Sequence, residues 1–178
     1  IERLEAVGKL LSHAPNYMIA DLSAREGRET AAAAIRAEAN GFDLVIPNAG
    51  VAHPAPLAVS DAARQEETIA VNLLGNMQII QAALPAMLRK RKGDIIAVVS
   101  MGGIIALENY TAYSASIFGM RGCLWSLASE LKGTGVNLSG MYCSAVDTPM
   151  LHEEARNPYG SPLNFMGKVS SPQEVVTR

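Results

Sequence analysis

Only two cysteines occur in the 178 residues of this chain, Cys123 and Cys143. They form neither a CxxC pair nor a disulfide framework, so cytoplasmic residence is the default expectation. The three histidines, His13, His53 and His152, stand far apart without ligand spacing, which predicts no metal site. No apolar run reaches membrane-spanning length, so no membrane span is expected. Net charge is −2, and the short basic cluster "RKRK" at 89–92 reads as a solvated helix end, where cations suit the helix dipole. Nothing else suggests a nucleic-acid partner. The opening "IERLEAVGKLL" has no initiator Met, signal peptide or cap before it, and reads as an amphipathic helix entered partway, as in a truncated chain.

What is present is an ordinary globular composition. The hydrophobic fraction is 49% and the charged fraction 18%, in a length suited to one domain over 1–178 with its own core. Residues 1–12 read as a helix and "NYMIADLS" as a short buried strand ending at Asp21. "AREGRETAAAAIRAEAN" at 24–40 is Ala-rich, charged and helical. "FDLVIPNAG" is an apolar strand running into a Gly turn, and "VAHPAPLAVS" is a loop. From 61 to about 91 the apolar period is helical, in one helix or two. "GDIIAVVSMGG" is a buried strand with a Gly-rich turn, 112–132 a helix and "GVNLSGMYCS" another strand. The tail is loop with short helical pieces.

Strands and helices alternate, and the strands are continuous apolar runs. This is the pattern of an α/β fold: a parallel sheet with helices on both faces. Ligands in such sheets bind at the carboxyl ends of the strands. The residues to weigh are therefore Asp21, Asn48–Gly50, Ser100–Gly103 and Cys143–Thr148. A "NAG" turn alone is as well explained by a tight backbone turn. A Ser at a strand tip and a Tyr early in the next helix can share one cleft. Ser100 could donate to a carbonyl oxygen and Tyr113 could pass it a proton, but a free Tyr titrates near 10 and wants an adjacent cation. The helix neighbour at i+4 is Ile117, which carries no charge. Asn72, inside a helix, either kinks it and holds a water or is locally satisfied.

Taken together, "DLVIPNAG", the "VN" of Val71 and Asn72, "IIAVVS" with Ser100, "YSAS" from Tyr113 and "DTPM" at 147–150 resemble, in order and spacing, the short-chain dehydrogenase/reductase family over essentially the whole chain. The resemblance implies a Rossmann-type doubly wound sheet and an oxidoreductase that uses NAD or NADP to interconvert a carbonyl and an alcohol. By that resemblance Asp21 contacts the adenine, Asn48, Ala49 and Gly50 form the turn beside the cofactor, and Thr148 contacts the nicotinamide amide or a phosphate. Asn72 resembles the water-holding Asn, Ser100 the substrate-orienting Ser and Tyr113 the acid/base. Family members commonly pair through the two helices at 61–91 and 112–132, which implies a homodimer or homotetramer. The segment 150–170, with Met150, Leu151, Tyr159, Phe165 and Met166, falls where the family has its substrate lid, and its apolar character suits an apolar small-molecule substrate or simple packing. "TAYSAS", "DTPM" and "SSPQEVV" are weakly similar to 3-ketodihydrosphingosine reductases.

Three departures stand against the pattern. The family's Gly-rich phosphate loop is absent, as if the first strand-helix-strand unit of roughly 30 residues were missing, and dinucleotide binding should suffer. Ile117 occupies the place of the family's Lys, which binds the ribose and lowers the Tyr pKa. Cys143–Ser144 replaces a Pro-Gly, and Pro47 replaces an Asn. The alternatives are an oxidoreductase with an impaired site, an inactive relative serving as a binding or scaffolding module, and an engineered Ile117.

Overall fold

The computed structural model describes residues 15–162 and 166–177, so the helix expected over 1–12 and Phe165 of the lid lie outside the described residues. Three strands form one parallel sheet in the order β1-β2-β3: β1 Leu44–Val45, β2 Gly93–Ser100 and β3 Val136–Cys143. β2 and β3 run in register from Gly93↔Val136 to Ser100↔Cys143. β1 is short, but its backbone follows β2 further: the Asp94 N–H donates to the Asp43 carbonyl at 2.8 Å and the Val98 N–H to the Pro47 carbonyl at 2.9 Å. Pro47 has no N–H to continue the ladder, so the apolar run "LVIP" ends its pairing early.

Side chains alternate across β2. Ile95, Ala97 and Val99 are buried while Asp94 is exposed. The buried face is covered by α3 (Asn76–Lys90) and α4 (Thr111–Glu130), while α1 (Arg25–Ala37) packs on α3 and α2 (Ala62–Ile69) packs on α4. Ile80, Ala83 and Met87 of α3 and Met120, Leu124 and Leu127 of α4 meet the strand residues in one cluster. Aliphatic side chains at i, i+3, i+4 and i+7 supply this face, as the helical period predicts. α2 opens on Asp61, whose carboxylate accepts the Ala63 N–H at 2.9 Å. α2 and α3 are joined without a break by a π-helical segment, Ala70–Gly75. The basic stretch ends α3 in a left-handed turn at Arg91, and the Lys90 ammonium bonds Asp43 at 3.0 Å at the start of β1. α5 (Pro149–Arg156) and α6 (Pro172–Val176) follow β3, and a parallel bridge joins Val146, just before α5, to Ser170, just before α6.

One expectation is corrected. "NYMIADLS" forms no strand: residues 15–21 pair with no strand of the described sheet, and Ile19 is 71% exposed. A strand is defined by its neighbour, and an apolar run without one does not make a ladder. Ala62–Lys90 is a continuous 29-residue helical stretch that is long and apolar enough to cross a membrane by length and composition alone. The side chains that make it apolar, among them Ile80, Ala83 and Met87, are those packed on the sheet.

Candidate active site

Ser100 is the last residue of β2. Its backbone is extended, and its hydroxyl accepts the Gly102 N–H at 3.0 Å, which starts a tight turn over Met101–Gly103. Both glycines are needed for close approach. A Cβ on Gly102 would lie 3.0 Å from the Tyr113 ring, and one on Gly103 would lie 2.7 Å from the Ile117 side chain. The turn therefore lets α4 seat Tyr113 against Ser100.

These two side chains line a cavity of about 380 Å³ at the carboxyl ends of β2 and β3, shared with Cys143, Thr148, Leu151 and Glu154. Burial pushes the Tyr113 phenol above its ordinary value, the neighbouring Ser100 hydroxyl pulls it down, and Glu154 and then Cys143 push it up again. No cation enters this balance. Ile117 is 8% exposed and belongs to the apolar cluster. Arg121, two turns along α4, donates to the Gly103 carbonyl at 3.0 Å and lies over the Trp125 ring at 4.2 Å, so it does not take the missing Lys's place.

Asn72 sits in the π-helical segment, 2% exposed. Such a segment carries an extra residue per turn, and π-helical turns are concentrated at functional sites. The Asn72 amide oxygen accepts the Val51 N–H at 2.8 Å, and its Nδ2 donates to the Val51 carbonyl at 2.9 Å and to Ser116 Oγ at 3.1 Å. The Ser116 hydroxyl in turn donates to the Tyr113 carbonyl at 2.7 Å. Asn72 thus ties the chain just after Asn48–Gly50 to the helix that carries Tyr113. Asn76, one turn on, repeats the device: its Nδ2 donates to the Ala49 carbonyl at 2.9 Å and to the Asn72 carbonyl at 3.0 Å. Asn76 and Ser116 were missed by sequence reasoning. The signal was available, because a second Asn at i+4 in one helix asks for a reason as the first did.

Thr148 reaches the cavity and caps α5 by accepting the Leu151 N–H at 3.4 Å. Asp21 does not line it. Its exposed carboxylate accepts the Ser23 hydroxyl at 2.7 Å and the Ser23 N–H at 2.9 Å, and these bonds, side chain first, hold it below the ordinary carboxylate range. Among the described residues no group of His, Cys, Asp or Glu could hold a metal.

A family model described as "short chain dehydrogenase" matches residues 2–158. The chain is 32% identical over 151 residues to a D-threitol dehydrogenase of Mycolicibacterium smegmatis, covering 83% of this chain and 58% of that protein. It is also 32% identical over 143 residues to the 17-beta-hydroxysteroid dehydrogenase type 1 of Mus musculus, covering 80% and 42% respectively. It therefore spans about half the length of these curated relatives. A solved dehydrogenase from Beutenbergia cavernae, with NADP bound at low occupancy, superposes with a TM-score of 0.82 at 25% identity, over 98% of this chain and 71% of that one.

Proposed function

The chain belongs to the short-chain dehydrogenase family, and on that premise we propose that it serves an NAD(P)-dependent oxidoreductase that reduces a carbonyl compound, with Tyr113 as proton donor. The observation that carries this reading is the placing of the Ser100 hydroxyl and the Tyr113 phenol in the wall of one cavity at the strand ends. A carbonyl oxygen placed there takes a hydrogen bond from Ser100, and Tyr113 delivers the proton as negative charge develops on it. The raised phenol keeps its proton at neutral pH, so the donor is present, but burial and Glu154 make it a weaker acid than a Tyr beside a cation. Asn72 and Ser116 fix the helix that aims Tyr113.

The hydroxyls of Ser100, Tyr113 and Thr148 around one cavity suit the nicotinamide end of a dinucleotide, which these residues would hold. The pyrophosphate end does not fit equally: these 178 residues contain no Gly-rich phosphate turn, and the carboxylate of Asp21 is engaged with Ser23. When bound, the nicotinamide supplies the hydride. Either NAD or NADP serves this reading.

Met101, Ile105, Leu107 and Leu151 line the same cavity and favour an apolar substrate. Exposed Leu74 and Met77 on the helical stretch 62–90, and Phe118 and Trp125 on α4, support a homodimer or homotetramer. Unpaired Cys123 and Cys143 support residence in the reducing cytoplasm.

A second reading, an inactive relative that binds without turnover, is favoured by Ile117, an apolar residue in the buried cluster where a cation is wanted. The two are separated by titrating the protein with NADH and NADPH by fluorescence and following reduced-dinucleotide oxidation over a panel of apolar ketones, with Tyr113→Phe as control. Turnover that falls about 10²- to 10⁴-fold in Tyr113→Phe supports the oxidoreductase. Turnover that is absent, or equal in both proteins, overturns it.

A further inference from the structure

Tyr110, one turn ahead of Tyr113, is only 2% exposed, yet it carries a hydroxyl. That hydroxyl donates to Glu154 Oε2 at 2.8 Å and accepts the Ser161 N–H at 3.3 Å. Both partners come from the segment after β3, so one buried side chain of the catalytic helix holds two points of the lid. The Tyr110 ring stands edge-on to Tyr113, with centroids 5.9 Å apart at 75°, a favourable arrangement for two rings. Further bonds fasten the same segment. Asn157 Nδ2 donates to the Pro54 carbonyl at 3.2 Å and Asn109 Nδ2 to the Tyr159 carbonyl at 3.4 Å. The turn between them is tight, since a Cβ on Gly160 would lie 2.3 Å from the Glu154 carbonyl oxygen.

We propose that Tyr110 and Glu154 are positioning residues for Tyr113: their hydrogen bond latches α5 over the Ser100–Tyr113 cavity and fixes a carboxylate in the wall beside the catalytic phenol. The inference rests on the oxidoreductase reading for its meaning and on geometry for its existence. The groups that face Tyr113 are Ser100 from β2, Cys143 from β3, Glu154 from α5 and Tyr110 from its own helix. Glu154 brings the one carboxyl group among them, and a negative charge there opposes a phenolate. The family pattern sets a cation beside this Tyr. Here the latch sets a carboxylate there, which opposes loss of the Tyr113 proton. Burial first, then the Glu154 carboxylate, push the Tyr110 hydroxyl well above an ordinary tyrosine, so it stays a donor over the working pH range.

Two variants of the whole chain separate the two halves of the proposal. Tyr110→Phe removes the donor and keeps the ring and the carboxylate. Glu154→Gln keeps an acceptor for Tyr110 and removes the charge. In Tyr110→Phe, amide hydrogen exchange over residues 149–161 should quicken about tenfold or more, with the α3 amides unchanged, because a hydrogen bond to a charged group is lost. In Glu154→Gln, the Tyr113 phenol, isolated by difference absorbance against Tyr113→Phe, should titrate at a lower pH than in the parent. Unchanged exchange in Tyr110→Phe overturns the latch, and an unmoved Tyr113 titration in Glu154→Gln overturns the electrostatic role. Neither readout needs turnover, so these failures are distinct from failure of the oxidoreductase reading, which the ketone panel tests alone.

Discussion

The two sides of β2 are built to different standards. On one side β3 pairs with it along eight positions, and the residues at that end converge on one cavity: Ser100, Tyr113, Thr148 and Glu154. On the other side β1 pairs at two positions, and Leu44 and Ile46 of that stretch, like Tyr17, Met18 and Ile19, present exposed apolar side chains. On the proposed reading the β3 side holds the groups for proton transfer, from segments consecutive in the chain between β2 and α5. The Asn48–Gly50 turn, which the family pattern gives to the dinucleotide, follows β1.

The comparison breaks first in the core under β2. Met87 is 0% exposed and lies directly against Gly93 at the start of that strand. Met87→Ala should lower unfolding free energy in urea by about 2–5 kcal/mol. A loss below ~1 kcal/mol would mean that the β2–α3 packing is not the firm side. Asn72→Ala tests the tie between the two sides. It strips partners from the Val51 N–H and carbonyl and from Ser116, and should cost about 3 kcal/mol in the same assay while loosening the Asn48–Gly50 turn.

A pH scan sharpens the contrast, since both raised phenols, Tyr110 and Tyr113, lie on the β3 side. A group whose folded pKa is raised binds its proton more tightly when folded. Its contribution is fully present below the unfolded value of 10.0 and is lost as pH rises through the folded value. Urea midpoints should therefore fall above pH 10, by up to about 1.4 kcal/mol per pH unit for each phenol. A flat profile from pH 9 to 11 would place both hydroxyls in ordinary solvent. The smallest effect belongs to the β1 side: Ile19→Ser, at a position 71% exposed, should change stability by less than about 0.5 kcal/mol.

Much of the β3 side was legible in the sequence because its signals are local. An apolar run ending in Ser, a Gly-Gly turn and a helix with Tyr in its first turn dictate the arrangement around Ser100 and Tyr113. The long helix of 61–91 was legible as one helix or two, but its π-helical join was not, since it shows only in how Asn72, Asn76 and Ser116 satisfy one another. "NYMIADLS" misled because strand propensity does not name a partner. Tyr110 and Glu154 were invisible because their meeting is set by how α5 folds back, over a separation that no period or spacing encodes.

The central claim is that this is a proton-transfer site short of one cation. Ile117→Lys tests it most directly, measured as the pH dependence of ketone reduction against the parent and against Ile117→Lys carrying Tyr113→Phe. The ammonium at i+4 should pull the phenol down and raise the rate near neutral pH by about 10²-fold, and the gain should vanish in the double variant. Equal rates in Ile117→Lys and the parent, or a gain that survives loss of the Tyr113 hydroxyl, would contradict the account.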